Sequence, residues 1–453
     1  MNTDITPQER RAVWALGGIM ALRMIGLFMI LPVFSLYATQ LQNVTPTLVG
    51  LTIGIYGLTQ AALQIPFGML SDRFGRKPII TIGLILFIIG SIVAAVSTHI
   101  EGVLIGRALQ GAGAISAALM ALVADLTAEE HRAKAMGILG MGIGMAFMIG
   151  MAAGPVLSHL IGVPNMFWLI AVLAFLAIGV LYFLVPNPKE SHLHRDAETV
   201  PSQFKRVLTD FNLMRLNAGT LFLHSQLTAM FVVIPLALQQ DAGLPAEQHG
   251  WLYLPIMIFA MLAAVPFIII SEKKHKVKFF FILAIITLTF VQLSLIFLHE
   301  SLMGLIILLW LFFAAFVFLE ANLPSLISRT APADSKGTAL GVFATWQFLG
   351  AFVGGLMGGW LHHKVGISGV FVFCGILNVL WLLVTLSMKA PRYLSNLLLH
   401  LNCKSEQHAQ TLAQQFLTIS GVAEAVVVCE EQVAYLKIDK TLLDEAALEQ
   451  LLT

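Results

Sequence analysis

Between residues 68 and 78 the chain reads Gly68-Met69-Leu70-Ser71-Asp72-Arg73-Phe74-Gly75-Arg76-Lys77-Pro78. Long apolar runs precede and follow it, so the stretch reads as a short charged reversal between two helices. Gly68 lets a neighbouring helix come close, and Gly75 supplies the backbone freedom that a tight turn needs. Arg73, Arg76 and Lys77 hold the turn at one membrane face. Asp72 can accept hydrogen bonds or face a helix N-terminus, where an anion is stabilised by up to about 1 kcal/mol. Asp125 ends a later apolar run and is expected to partner Arg73 or Arg76.

The runs around this turn set the fold class. The chain has 453 residues, 58% hydrophobic and 11% charged, with mean hydropathy +0.86. A soluble protein carries about 25% charged residues, so lipid must solvate most of this one. A spanning helix needs roughly 20 apolar residues. Twelve such stretches are expected, over 12–38, 47–69, 78–97, 101–125, 134–159, 166–185, 211–238, 249–270, 279–298, 302–327, 338–361 and 368–387. The first lacks a small-residue cleavage site and reads as a retained helix rather than a signal peptide. With the N-terminus inside, the cytoplasmic segments hold nineteen lysines and arginines and the opposite loops hold one, Lys364. By the positive-inside rule both termini are expected in the cytoplasm of an inner-membrane protein.

The long polar link 186–210 divides the helices into two halves, 1–185 and 211–388. Gly137, Gly150 and Gly154 in the fifth helix repeat as Gly341, Gly354 and Gly358 in the eleventh, with spacings of 13 and 4. Small residues at such intervals let helices pack closely in lipid. Their recurrence predicts duplicated halves with a substrate held between them. From 393 to 453 the composition changes. Strands are expected over Asn396–Asn402, Val422–Cys429 and Gln432–Ile438, with Glu430-Glu431 at the turn, and helices over Ser405–Ile419 and Thr441–Leu452. That order suits a small ferredoxin-like module lacking its last strand. Cys374, Cys403 and Cys429 have no paired spacing, so neither a disulfide framework nor a metal site is expected.

The 68–78 turn resembles, residue for residue, the Gly-x-Leu-x-Asp-Arg-x-Gly-Arg-Arg/Lys signature of the major facilitator superfamily. Arg107-Ala108-Leu109-Gln110-Gly111-Ala112-Gly113 is similar to that family's Arg-x-x-Gln-Gly-x-Gly pattern in the fourth helix. Gly150-Met151-Ala152-Ala153-Gly154-Pro155 resembles the core of its antiporter signature, with Ser158-His159 where Gly-Gly is usual. Gly26 and Pro32 resemble its drug-antiporter pattern, with Ser35 where a second proline is usual. With the appended module, the chain resembles the YajR group of proton-driven exporters, whose ferredoxin-like tail is called the YAM domain. The resemblance implies the twelve-helix fold, and a latch at Gly68–Pro78 that holds one state of the transport cycle. It also implies a role for Arg107 in coupling, with a hydrogen-bonded packing role as the alternative.

Charges at bilayer depth cost about 2.5–3.5 kcal/mol on insertion scales and mark pathways. Arg23, Arg107, His224 and Glu320 are such groups. Tyr56, Gln60 and Gln64 recur at i, i+4 and i+8, a polar face that must look into the bundle. Gln226 and Gln347 are weaker additions to a substrate cavity. Taking a carboxyl out of water favours its protonated form, so Glu320 is expected to respond to protons; His224 can relay them, but an intramembrane histidine satisfied by its neighbours is the favoured reading. A structural ion pair with an arginine and a ligand for a cationic substrate remain alternatives for Glu320.

The expected function is export of a small apolar or amphipathic compound, coupled to protons, by rocking of the two halves. Uptake symport, and a membrane sensor or scaffold signalling through the tail, stay open. No phosphate-binding loop or hydrolytic constellation occurs, so neither enzymatic activity nor a cofactor is expected, and a net charge of +1 implies no nucleic-acid partner. The tail is expected to bind a small cytoplasmic ligand, to dock on the basic inner loops, or to self-associate through its open sheet edge.

Overall fold

The structure, a computed structural model, describes residues 6–187, 200–332, 334–388, 394–401, 403, 405–429, 432–439, 442–444, 447, 448 and 451. Twelve helices are long and apolar enough to cross a membrane. They run Pro7–Ala38, Pro46–Phe74, Arg76–Val96, Ile100–Leu126, Lys134–Ile161 and Val163–Phe183 in the first half. In the second they run Phe211–Asp241, Ala246–Lys273, Val277–Leu298, Leu302–Thr330, Lys336–Val365 and Ile367–Leu386. Each expected stretch is found, mostly a few residues longer, because polar caps extend a helix past its apolar run. Thr6 opens the first helix with a capping box to Glu9, and Thr45 and Ser301 cap the second and tenth, satisfying backbone N–H groups that lack a helical partner.

The fourth helix is broken into Ile100–Ala112 and Ser116–Leu126, a division its continuous apolar pattern does not announce. Two reversals occupy equivalent places in the halves. Gly162 between the fifth and sixth helices has φ +77°, and Gly366 between the eleventh and twelfth has φ +87°.

The repeated glycines pack within each half. A Cβ on Gly150 or Gly154 would strike Phe28 or Met29 of the first helix. One on Gly354 or Gly358 would strike Ser225 or Ala229 of the seventh. Pro155 follows inside the fifth helix. Gly137, by contrast, has open space beside it.

The halves meet chiefly at one end. Gly50, Gly54 and Gly57 of the second helix lie against the backbone of Gly355, Gly359, Phe352 and Phe348 in the eleventh, with no room for a Cβ. Ser35 donates to the Phe231 carbonyl at 2.9 Å, and Gly250 lies against Val156 and Ala152. Most of these residues lie toward the end away from the basic loops. At the basic end, Gly17, Gly18, Gly137, Gly140 and Gly144 have nothing within 4 Å of an added Cβ. The close glycine contacts between the halves thus run from the end away from the basic loops to about mid-helix, at Gly57 and Phe348.

After the twelfth helix, β1 (Ser395–His400), β2 (Val422–Val428) and β3 (Val433–Ile438) form an antiparallel sheet in the order β1-β3-β2. The helix Glu406–Thr418 packs Phe416 against Ala434, Leu436 and Ile438 of β3. Of the expected last helix, Ala447, Leu448 and Leu451 are described and helical, but Leu442, Leu443 and Asp444 at its expected start are not, since Asp444 accepts from the Ala447 N–H at 3.0 Å in the manner of a cap; Glu430 and Glu431 lie outside the described residues. The module also departs from expectation at its cysteines: Cys403 and Cys429 form a disulfide. They lie 26 residues apart, and only the sheet brings the end of β1 beside the β2–β3 turn.

The module sits on the helical bundle. Val433, Tyr435 and Lys437 share one face of β3. Lys437 Nζ donates to the Arg329 carbonyl at 2.9 Å, in the last turn of the tenth helix, where a cation complements the helix dipole. Lys437 also pairs with Glu424 at 3.5 Å. Glu424 reaches Arg206 of the short linker helix Phe204–Thr209 at 3.6 Å, and Arg206 pairs with Asp334 at 3.0 Å. Burial pushes the Lys437 ammonium below its usual range, and Glu424 partly offsets this.

Candidate functional site

Glu320 stands one turn beyond Phe316 on the tenth helix and meets groups from two others. Gln347 Nε2, on the eleventh, donates to Glu320 Oε1 at 3.0 Å and lies 2.8 Å from His224 Nε2 of the seventh. His224 Nδ1 is 3.1 Å from the Thr220 carbonyl. The amide has two N–H groups, so one serves each neighbour. In that arrangement His224 accepts at Nε2 and donates from Nδ1. Glu320 Oε2 lies 3.5 Å from His224 Nε2 and has no hydrogen-bond partner among the described residues. The Glu320 side chain is 35% exposed, but that unpartnered oxygen is itself buried. Among the described residues its polar partners are an amide and an imidazole, with no arginine.

An aromatic wall adjoins it and joins the halves. Phe147 of the fifth helix lies 4.9 Å from Phe28 of the first and 5.8 Å from Phe316, whose ring is 5.9 Å from His224. Polarisable rings thus stand beside one polar trio.

The arginines form a second centre inside the first half. Arg23 donates to Gln60 and, at 3.0 Å, to Ser116. Gln60 donates to Gln64 at 3.2 Å. Arg107 donates to Gln110 at 2.9 Å, and Gln110 donates to Ser91 at 2.8 Å. Both guanidinium groups lie over the Tyr56 ring, at 5.9 and 4.9 Å. Each arginine is 2% exposed, and neither meets a carboxylate among the described residues. Ring faces and amide oxygens offset the buried charge instead; a cation–π contact contributes up to about 2 kcal/mol when desolvated. The expected polar face of Tyr56, Gln60 and Gln64 does look into the bundle, but it holds Arg23 rather than lining an open cavity. Arg23 and Arg107 thus belong together and apart from Glu320. Gln226 is also turned away, donating to Asn378 of the twelfth helix at 2.6 Å.

In the 68–78 turn, Gly75 has φ +92°. Arg76 is the hub: it binds Asp72, donates to Ser71 at 2.9 Å and pairs with Asp125 at 3.0 Å. Asp125 therefore partners Arg76, while Arg73 lies over the Phe74 ring at 5.4 Å. Lys77 donates to the Val185 carbonyl at 2.6 Å. A Cβ on Gly68 would meet Ala117 of the same half. The other half answers with an ion pair of reversed order, Arg329 to Glu272 at 3.0 Å. Sequence reasoning missed this pair and the Gly50–Gly54–Gly57 seam. The i, i+4, i+7 spacing of the three glycines was the available signal.

Two repeated six-helix halves, with ionisable groups at mid-depth and a charged turn after the second helix, define a membrane transporter. The family model of the Major Facilitator Superfamily matches residues 16–355, and that of the YajR YAM domain matches 404–453. The chain is 43% identical over 446 residues to the inner membrane transport protein YajR of Escherichia coli (strain K12), covering 98% of both. It is 24% identical to Multidrug resistance protein 1 of Bacillus subtilis (strain 168), covering 82% of this chain and 94% of that one. In fold it is similar to a bacterial homologue of the human lysosomal transporter Spinster in its inward-facing, occupied conformation. There the TM-score is 0.67 at 14% identity, over 84% of this chain and 97% of that one. The chain belongs to the major facilitator superfamily and is, within it, a transporter of the YajR type.

Proposed function

We propose that this transporter exports a small apolar or amphipathic compound in exchange for protons, from an inner membrane with both termini in the cytoplasm. The observation that carries the proposal is the Glu320–Gln347–His224 trio, with one carboxyl oxygen unpartnered and an aromatic wall beside it. The asymmetry of basic residues supports the orientation. On that orientation the glycine seam between the halves lies toward the outer face, and an export substrate enters from the cytoplasmic side. The similarity to a multidrug resistance protein supports export.

The coupling runs through Gln347. A deprotonated Glu320 accepts its amide hydrogen. A protonated one can donate to His224 from Oε2, which frees the amide. Gln347 is the neighbour of Phe348, whose carbonyl lies at Gly57 in the seam between the halves. A change at Glu320 is therefore transmitted to the contact that must open when the bundle rocks. Residues 393–453 serve as a regulatory module rather than as part of the pore.

The test uses the purified protein in liposomes with a fluorescent amphipathic dye and an imposed pH gradient. Dye movement opposite to the proton flux is expected. Movement in the same direction as protons would establish symport and overturn the proposal. Metabolite profiling of cells with and without the protein then identifies the natural substrate.

A further inference from the structure

Cys403 and Cys429 lie at the end of the module remote from Lys437, with Cα atoms 4.9 Å apart, inside the range that a disulfide bridges. The surroundings hold this approach without help from the bond. The Gln432 side chain accepts from the Cys403 N–H at 2.7 Å and donates to the carbonyls of Cys403 and Cys429 at 2.8 and 2.7 Å. A single side chain thus clamps both cysteine backbones. The Ser405 carbonyl stands 3.4 Å from one sulfur and 3.1 Å from the other. It is an acceptor for either S–H group once the bond is reduced, so both oxidation states are accommodated.

The compartment gives the pair its meaning. On the orientation proposed above, on which this inference rests, the module lies in the cytoplasm. Thiols there are kept reduced, and disulfides that do form are mostly transient and redox-sensing or catalytic. We propose that Cys403 and Cys429 are a redox modification site, a dithiol that exchanges with low-molecular-weight disulfides. Cys403 is only 7% exposed, whereas Cys429 is partly open to solvent. Cys429 therefore reacts first. Its thiolate attacks one sulfur of the small disulfide, and one thiol leaves with a proton. The Cys403 thiolate then attacks the Cys429 sulfur and expels the second thiol. Two protein thiols are oxidised, and one small disulfide is reduced to two thiols. The product staples the exit of β1 to the β2–β3 turn, across the segment that contains the helix Glu406–Thr418.

The test incubates the full-length protein in detergent with glutathione and glutathione disulfide at a series of ratios, then quenches with acid and labels free thiols with a heavy maleimide. Cys403 and Cys429 should lose label together in one two-electron step, without a lasting glutathione adduct. Cys374, buried in the twelfth helix, is the internal control. Cys403→Ser should instead trap the adduct on Cys429. Thiols that stay free at the highest disulfide ratio would overturn the proposal, as would a lasting adduct on the wild-type protein. Labelling of Cys429 by a membrane-impermeant maleimide, in inverted vesicles but not in spheroplasts, reports sidedness separately. A failure of the orientation is thereby distinguished from a failure of the redox chemistry.

Discussion

Gln347 donates a 3.0 Å hydrogen bond to Glu320, joining the eleventh membrane helix to the tenth at the point where the eleventh also meets the opposite half. This places a titratable group one residue from the seam between the halves. Glu320→Gln keeps the shape and much of the hydrogen bonding but cannot exchange a proton. The variant should insert, bind dye and lose its response to a pH gradient. Flux measured at several external pH values checks this, and unchanged pH dependence would sink the assignment.

In the charged turn, Arg76 bridges Asp72 and Asp125, whose side chains are 33% and 0% exposed. Asp72→Asn should leave the protein inserted but slow its transport, because the turn loses charge. Asp125→Asn should be the more damaging for stability. Removing one member of a buried pair costs about 3–5 kcal/mol, whereas a partly exposed member is screened by solvent. Melting of the two purified variants, compared with their transport rates, tests the ranking.

Gly50 allows the backbone of Gly355 to come so near that a Cβ would lie 2.2 Å from its carbonyl oxygen. Gly50→Ala should therefore disfavour the conformation described here. Overpacking costs about 1–3 kcal/mol, and each 1.4 kcal/mol shifts a population about tenfold. Gly354→Ala differs, since its Cβ would strike Ser225 within one half; it should impair folding rather than shift the balance. Spin-label distances across the seam end separate the two outcomes.

The module rests on Lys437, at the carbonyl end of the tenth helix, and on the Glu424–Arg206–Asp334 chain. Lys437→Met should release it, giving faster proteolysis of the tail with insertion unchanged. Raised salt should act in the same direction, because exposed ion pairs are screened. A chain ending at Arg392 should still insert and transport, at an altered rate. Complete loss of transport by that stable, inserted chain would show the module to be integral to the cycle.

The sequence by itself determined the twelve helices, their division into halves and the strands and first helix of the module. Lipid cannot satisfy backbone polar groups, so every spanning segment must declare itself in about 20 consecutive residues. A charged turn and a strand alternation are equally local. It also marked Glu320, His224, Gln347, Arg23 and Arg107, because an ionisable or amide group in an apolar run stands out wherever it points. Only the tertiary structure decided how these divide: Glu320 with Gln347 and His224, and the arginines with Tyr56 and Gln60 in the other half. It alone turned Gln226 to Asn378, brought Gly50 against Gly355, closed Cys403 on Cys429 and set Lys437 on the tenth helix. Each of those contacts joins residues far apart in the chain. Their pairing depends on helix rotation and strand order, which no local pattern of residues encodes.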